Sequence, residues 1–184
     1  MLFDFVADRP ALNFVATVAE RGSTHLEQLN TGEDLAGWVA QSGLTSDPVR
    51  VTAAQLTEAR CVREAMFASI TALIDRTPPR PVDREVVNAA AARPRPLTRL
   101  TAAGAVHRTG DLESVLALLA VDCLALFDGP DRDNLNRCAD PRCTRPFIDR
   151  SRGHGRRWCG MKGCGDRAKA AGYRQRQRTE GPVL

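Results

Sequence analysis

Aromatic side chains are scarce in this chain: two Trp, one Tyr and six Phe among 184 residues. Lysine is scarcer for the charge carried, since only Lys162 and Lys169 among 26 basic side chains are not arginine. No apolar run approaches the roughly 18 residues that a membrane-crossing helix needs. The opening Met1-Leu2-Phe3-Asp4-Phe5 lacks the basic start and apolar stretch of a secretory signal, so a cytoplasmic location is expected. There is no phosphate-binding glycine loop, nucleophile motif, internal repeat or low-complexity stretch. His25 and His107 are isolated with no ligand spacing, and His154, which could ligate a metal in principle, reads as a turn residue. These absences remove the usual supports for catalysis, and no enzyme is expected.

What is present begins with cysteine. Cys138-x4-Cys143 is followed fifteen residues later by Cys159-x4-Cys164. In a reducing compartment, paired cysteines are better metal ligands than disulfide partners. Four thiolates satisfy a structural zinc ion and leave no open position for catalysis, although sulfur ligands also accept iron. Cys61 and Cys123 stand apart in apolar helical runs and read as buried small hydrophobes.

Charge is unevenly divided. Residues 1–136 carry 13 basic and 18 acidic side chains, a net of −5, whereas residues 137–178 carry 13 basic and 3 acidic, a net of +10. Such an asymmetry points the tail at a polyanion, because phosphates attract clustered cations whatever the base sequence.

Hydrophobic periodicity predicts a helix over 10–21 and another after the capping residue Thr31, stopped by Gly43. A long helix is expected from Asp47-Pro48 to about Asp75, a shorter one over 83–92, and an apolar one from Ser114 to Phe127. Residues 24–30 read as a short strand or extended loop, and residues 97–109 as a possible small hairpin turning near Gly104. The expected fold is mainly α: a helical N-terminal domain over 1–128, a linker over 129–136, and a zinc finger over 137–178. In the finger, Pro146-Phe147-Ile148 and Arg156-Arg157-Trp158 read as two strands around a glycine-rich turn, with Phe147, Ile148 and Trp158 packed beside the metal. Turn, hairpin, turn and a basic helix from Gly165 to Arg178 give a treble-clef-like order.

The tail segments Phe147-Ile148-Asp149-Arg150-Ser151-Arg152, Arg157-Trp158-Cys159 and Cys164-Gly165-Asp166-Arg167-Ala168-Lys169, with Cys138 and Cys143 ahead of them, closely resemble the CGNR zinc-finger family. Leu12-Asn13-Phe14-Val15-Ala16-Thr17 and the order of the later helices resemble the ABATE domain, found ahead of that finger in bacterial proteins described as stress-induced transcription regulators. The resemblance implies a zinc-binding, DNA-binding regulator with no known reaction or ligand. Asp166 stands where the family has Asn, and Asn13 and Ala16 where Asp and Asn are expected. Asp166 would repel phosphate if that position touched DNA, but could still cap the last helix.

Zinc is therefore expected on Cys138, Cys143, Cys159 and Cys164, and duplex DNA on Arg150, Arg152, Arg156, Arg157, Arg167, Lys169, Arg174, Arg176 and Arg178. Arg167, Arg174 and Arg178 fall on one helical face, Lys169 and Arg176 on the other. RNA is the alternative partner, modestly disfavoured because only Phe147, Trp158 and Tyr173 could stack on bases. The acidic domain is expected to dimerise or to close on a small-molecule effector. Asn13, Phe14, Thr17 and Trp38 could line such a site or simply belong to the core.

Overall fold

The computed structural model describes residues 2–179. Its first helix, α1 (Pro10–Val15), starts on a proline whose fixed φ suits a first helical turn. It is far shorter than the periodicity over 10–21 suggests. The Thr17 hydroxyl donates to the carbonyl of Phe14 at 2.7 Å. Such local side-chain bonding competes with the helical ladder. The chain then enters β1 (Val18–Ala19), which pairs antiparallel with β2 (Leu26–Glu27). Of the ambiguous residues 24–30, only Leu26–Glu27 form a strand, and the rest is loop.

α2 (Gly32–Ser42) is closed by a capping box between Thr31 and Asp34 and ends on Gly43 at φ 67°. That left-handed stop costs glycine little. α3 (Ala53–Ile74) starts later than Asp47-Pro48 suggests, because Thr52 and Gln55 form the capping box instead. The skipped segment is tied to the later hairpin: the Thr45 hydroxyl and the Ser46 N–H both donate to the Arg108 carbonyl. α4 (Pro81–Ala91) again opens on proline. β3 (Leu97–Leu100) and β4 (Val106–Thr109) form the expected hairpin, with Gly104 left-handed in its turn. α5 (Leu112–Asp128) follows, with Asp111 accepting from the Ser114 N–H at 2.9 Å.

α1, α3, α4 and α5 pack together, and α2 closes on α3. Leu12, Phe14, Trp38, Met66, Ile70 and Leu119 are fully buried among them. Cys123 is buried as expected, and burial pushes its thiol up to about 12. Cys61 is not buried; it lies on the exposed side of α3.

The largest departure is at the finger's edge. Residues 129–136 do not form a free linker. A single 3₁₀ turn (Arg132–Asn134) runs into β5 (Leu135–Arg137), which pairs antiparallel with β6 (Pro146–Ile148). The strand expected over 156–158 does not form. Alternation along β6 explains the rest, because successive side chains point to opposite faces. Phe147 packs with the four cysteines, while Ile148, with Leu135, joins the helical core. Ile148 therefore does not sit beside the metal ligands. After the second cysteine pair comes α6 (Asp166–Thr179). No helix among the described residues is long and apolar enough to cross a membrane.

Candidate metal centre

Two tight turns deliver the cysteines. In the first, Asp140 accepts from the Arg142 N–H through its carboxylate and from the Cys143 and Thr144 N–H groups through its carbonyl, at 3.0, 2.9 and 3.2 Å. The Cys138 N–H donates to the Arg145 carbonyl at 2.9 Å, closing the strand pair around the turn. In the second, Gly163 takes φ 90° and the Gly165 N–H donates back to the Gly160 carbonyl at 3.1 Å.

All four sulfurs are buried and lie within 4.8 Å of one another. Cys143 and Cys159 are 3.6 Å apart at sulfur, and Cys159 and Cys164 3.8 Å. A disulfide needs about 2.05 Å. A tetrahedral zinc with bonds near 2.3 Å implies sulfur–sulfur edges of about 3.8 Å. The donor set and its spacing therefore fit zinc.

The thiols also need a cation. Burial, with the neighbouring Cys143 and Cys138, pushes the Cys164 thiol up to about 12. Cys159 is raised as well, by its contacts with Cys138 and Cys143, while the same shared bonding lowers Cys138. One thiolate forms at the expense of its neighbours, and a dication relieves that conflict.

The ligand turns are braced by residues whose role was not read from the sequence. Asp140, buried at the first turn, accepts from Arg167 Nε at 2.8 Å, and Arg167 Nη2 donates to Cys164 Sγ at 3.1 Å. Burial opposes the ionised form of Asp140, but the Arg142 N–H and the Arg167 guanidinium still hold its carboxyl below its usual value. Asp149 is buried and accepts from the backbone N–H groups of Ser151 and Arg156, both at 2.8 Å. Their advance signals were that they are two of only three carboxylates in a strongly basic segment, and that Asp149 lies in the stretch that resembles the finger family.

The nine expected nucleic-acid contacts divide accordingly. Arg167 is committed to Asp140 and Cys164. Arg156 stacks on the Phe147 ring at 4.6 Å, donates to the carbonyls of Trp158 and Cys159, and approaches Asp8 at 3.6 Å. Arg150 pairs with Asp131 at 3.1 Å. Arg157 lies over the Trp158 ring but is exposed, as are Arg152, Lys169, Arg174 and Arg176. The side chain of Arg178 lies outside the described residues. Asp166 has helical φ and ψ at the head of α6, so it is not in the extended conformation of a capping residue.

The four candidate effector residues are packed into the protein. Phe14 and Trp38 stack at 5.0 Å inside the core. Asn13 Oδ1 accepts from the Ala7 N–H at 3.0 Å, and the Thr17 hydroxyl accepts from Arg63 Nη1 at 3.1 Å. Arg63, itself buried, also holds Glu27 and Glu64. Phe14, Thr17 and Trp38 are buried, whereas Asn13 is half-buried.

A helical domain sharing its core with a four-cysteine zinc finger is the class that this architecture defines. The chain belongs to the ABATE family, described as "Putative stress-induced transcription regulator", which it matches over residues 8–130. It matches the CGNR zinc finger over residues 134–177. Comparison with curated proteins gives no match. The metal centre is the structural zinc site of that finger, on Cys138, Cys143, Cys159 and Cys164.

Proposed function

We propose that this chain is a zinc-dependent, DNA-binding transcription regulator. Its finger grips duplex DNA, and its helical domain sets when it does so, by closing on a small molecule or by dimerising. The observation that carries this reading is the exposed charge of α6 and the preceding loop. Lys169 and Arg174 on the helix, with Arg152 and Arg157 before it, are exposed in a segment of net +10. Their charge faces water and gains by meeting phosphate and releasing its counterions. Duplex DNA is favoured over RNA because the finger offers few stacking surfaces: Phe147 is buried, Trp158 is half-buried with Arg157 over its ring, and Tyr173 is exposed. The chain carries no reaction on this view.

Fluorescence anisotropy over a range of KCl tests the reading, with duplex DNA as ligand and structured RNA as competitor. Replacing Lys169 and Arg174 together by Gln should lower the slope of log affinity against log salt by about two, one per lost phosphate contact. An unchanged slope would remove Lys169 and Arg174 from the contact surface. Structured RNA outcompeting the duplex would make the finger an RNA binder.

A further inference from the structure

Where the helical domain meets the finger, a cavity of about 1010 Å³ opens at the ends of α3 and α5. Ile74, Phe127 and Leu135 supply apolar wall, and Arg76, Arg132 and Asn136 polar wall. A smaller hollow of about 280 Å³, between α3, α4 and α5, shares Pro79 and Phe127 with it as common wall. The smaller one is lined almost wholly by apolar groups, among them Val87 and Leu124. Together they offer a polar mouth and an apolar extension, the usual division of labour in a ligand site.

Two observations point to a ligand there. Ser69 lines the apolar extension, is 3% exposed, and its hydroxyl has no hydrogen-bond partner among the described residues. Buried hydroxyls are normally satisfied. Arg76 and Arg132, both at the mouth, form no ion pair among the described residues, so both guanidinium groups are available to an anion. One carboxylate, Asp133, also lines the mouth, which leaves it net positive within a domain of net charge −5. Arg76 itself holds φ 55° just past the end of α3, where its N–H donates to the Leu73 carbonyl at 3.1 Å and the Thr77 N–H to the Ala72 carbonyl at 2.9 Å, so a left-handed helix cap fixes its backbone at the mouth.

We infer that this seam binds a small amphipathic organic acid. Its carboxylate lies between Arg76 and Arg132, and its apolar body runs over Ile74 and Phe127 toward Ser69, whose hydroxyl then donates to the face of an aromatic ring. The walls come from both family segments: Ile74, Arg76 and Phe127 from the helical match, Leu135 and Asn136 from the finger match. Beside the cavity, Arg137 of β5 pairs with Asp75 at 2.9 Å, tying the two segments together. A bound acid touches both segments at this tie. Its regulatory meaning rests on the DNA-binding reading, but the binding itself does not.

Methyl-labelled, zinc-loaded full-length protein titrated with 4-phenylbutyrate, and in parallel with neutral 4-phenylbutanol, tests the site by NMR. The acid should shift the methyls of Ile74 and Leu135 saturably and bind at least tenfold more tightly than the alcohol. Replacing Arg76 and Arg132 together by Gln should abolish that tenfold preference. Replacing both by Lys should keep most of it, which separates charge recognition from damage to the fold. Equal affinity for acid and alcohol, shifts that avoid these methyls, or an unchanged preference in the Gln variant would overturn the proposal. Repeating the anisotropy titration with the acid present judges regulation separately. A changed DNA affinity supports the regulatory link, and an acid that binds with DNA affinity unmoved keeps the site and removes that link.

Discussion

At Gly22 the chain has no room for a methyl group. Its N–H donates to the Arg142 carbonyl at 3.0 Å, and an added Cβ would lie 1.9 Å from the Pro141 carbonyl oxygen. Glycine here lets the loop between β1 and β2 rest directly on the first cysteine turn. Gly22→Ala should cost about 1–3 kcal/mol as overpacking against rigid backbone, lowering Tm by roughly 2–12 °C in a chain of this size. Gly37→Ala is the control, since nothing lies within 4 Å of its added Cβ, and its helical position should make it neutral or stabilising. Equal melting of the two variants in calorimetry would refute the close-approach argument. Among the ligands, Cys159→Ser should reduce zinc from one ion per chain to none by elemental analysis. It should also lower the melting temperature of the whole chain, because Leu135 and Ile148 of the finger are part of the helical core. Zinc retained by the variant would point to a different ligand set.

α3 shows how an element can combine structure with charge. Its one fully buried cation, Arg63, is 2% exposed and donates to Glu27 Oε2 at 2.6 Å, Glu64 Oε1 at 2.9 Å and Thr17 Oγ1 at 3.1 Å. It thereby ties the β1–β2 ribbon to the bundle. Burial opposes ionisation of Glu27, but hydrogen bonds from Arg63 and the Leu29 N–H hold its carboxyl below the usual value. Glu64 is half-buried; burial opposes its ionisation too, and Arg21 and Arg63 hold its carboxyl low. Folded values below the unfolded value of about 4.3 mean that this stability is present above that pH and is lost as pH falls through the folded values. The melting temperature should therefore fall on acidification below about pH 4. Arg63→Met should cost about 3–5 kcal/mol at neutral pH by leaving carboxylates without their buried partner, and should flatten the acid limb of the curve. An acid limb identical to that of the parent would show that these pairs carry no stability.

On the scale of the whole molecule, the acidic domain and the basic finger are electrostatic partners. Asp75 pairs with Arg137, Asp8 with Arg156, and Asp131 with Arg150, at 2.9, 3.6 and 3.1 Å. Asp131 also accepts from Arg9, which reaches Asp122 on α5, so four charges run from the bundle to the finger's loop. Burial works against ionisation of Asp131, yet Arg9 and Arg150 hold its carboxyl low. The helical domain thus occupies cations that DNA could use. Asp131→Asn should release Arg150, raise duplex affinity and steepen the salt slope by about one. It should also lower the melting temperature, because Arg9 loses a partner. An unchanged slope would mean that Arg150 does not reach phosphate even when free.

What the sequence by itself determined is what short stretches of chain decide. The cysteine pairs close their own turns, Thr31 with Asp34 and Asp111 with Ser114 start their helices within three residues, and Gly43 and Gly104 supply left-handed turns. Zinc, the helical class and the C-terminal placement of positive charge were legible for that reason. Even local signals misled where two competed: Asp47-Pro48 looked like a helix start, but Thr52 and Gln55 took that role. Only the tertiary structure decided which strand β6 joins, that Ile148 faces the bundle while Phe147 faces the cysteines, and which arginines remain exposed. These outcomes depend on partners far apart in the chain, such as Arg9 with Asp131 or Gly22 with Arg142. A residue's own sequence neighbourhood does not show which distant carboxylate or carbonyl will meet it. That is set by how the helices pack, and packing is a property of the whole core.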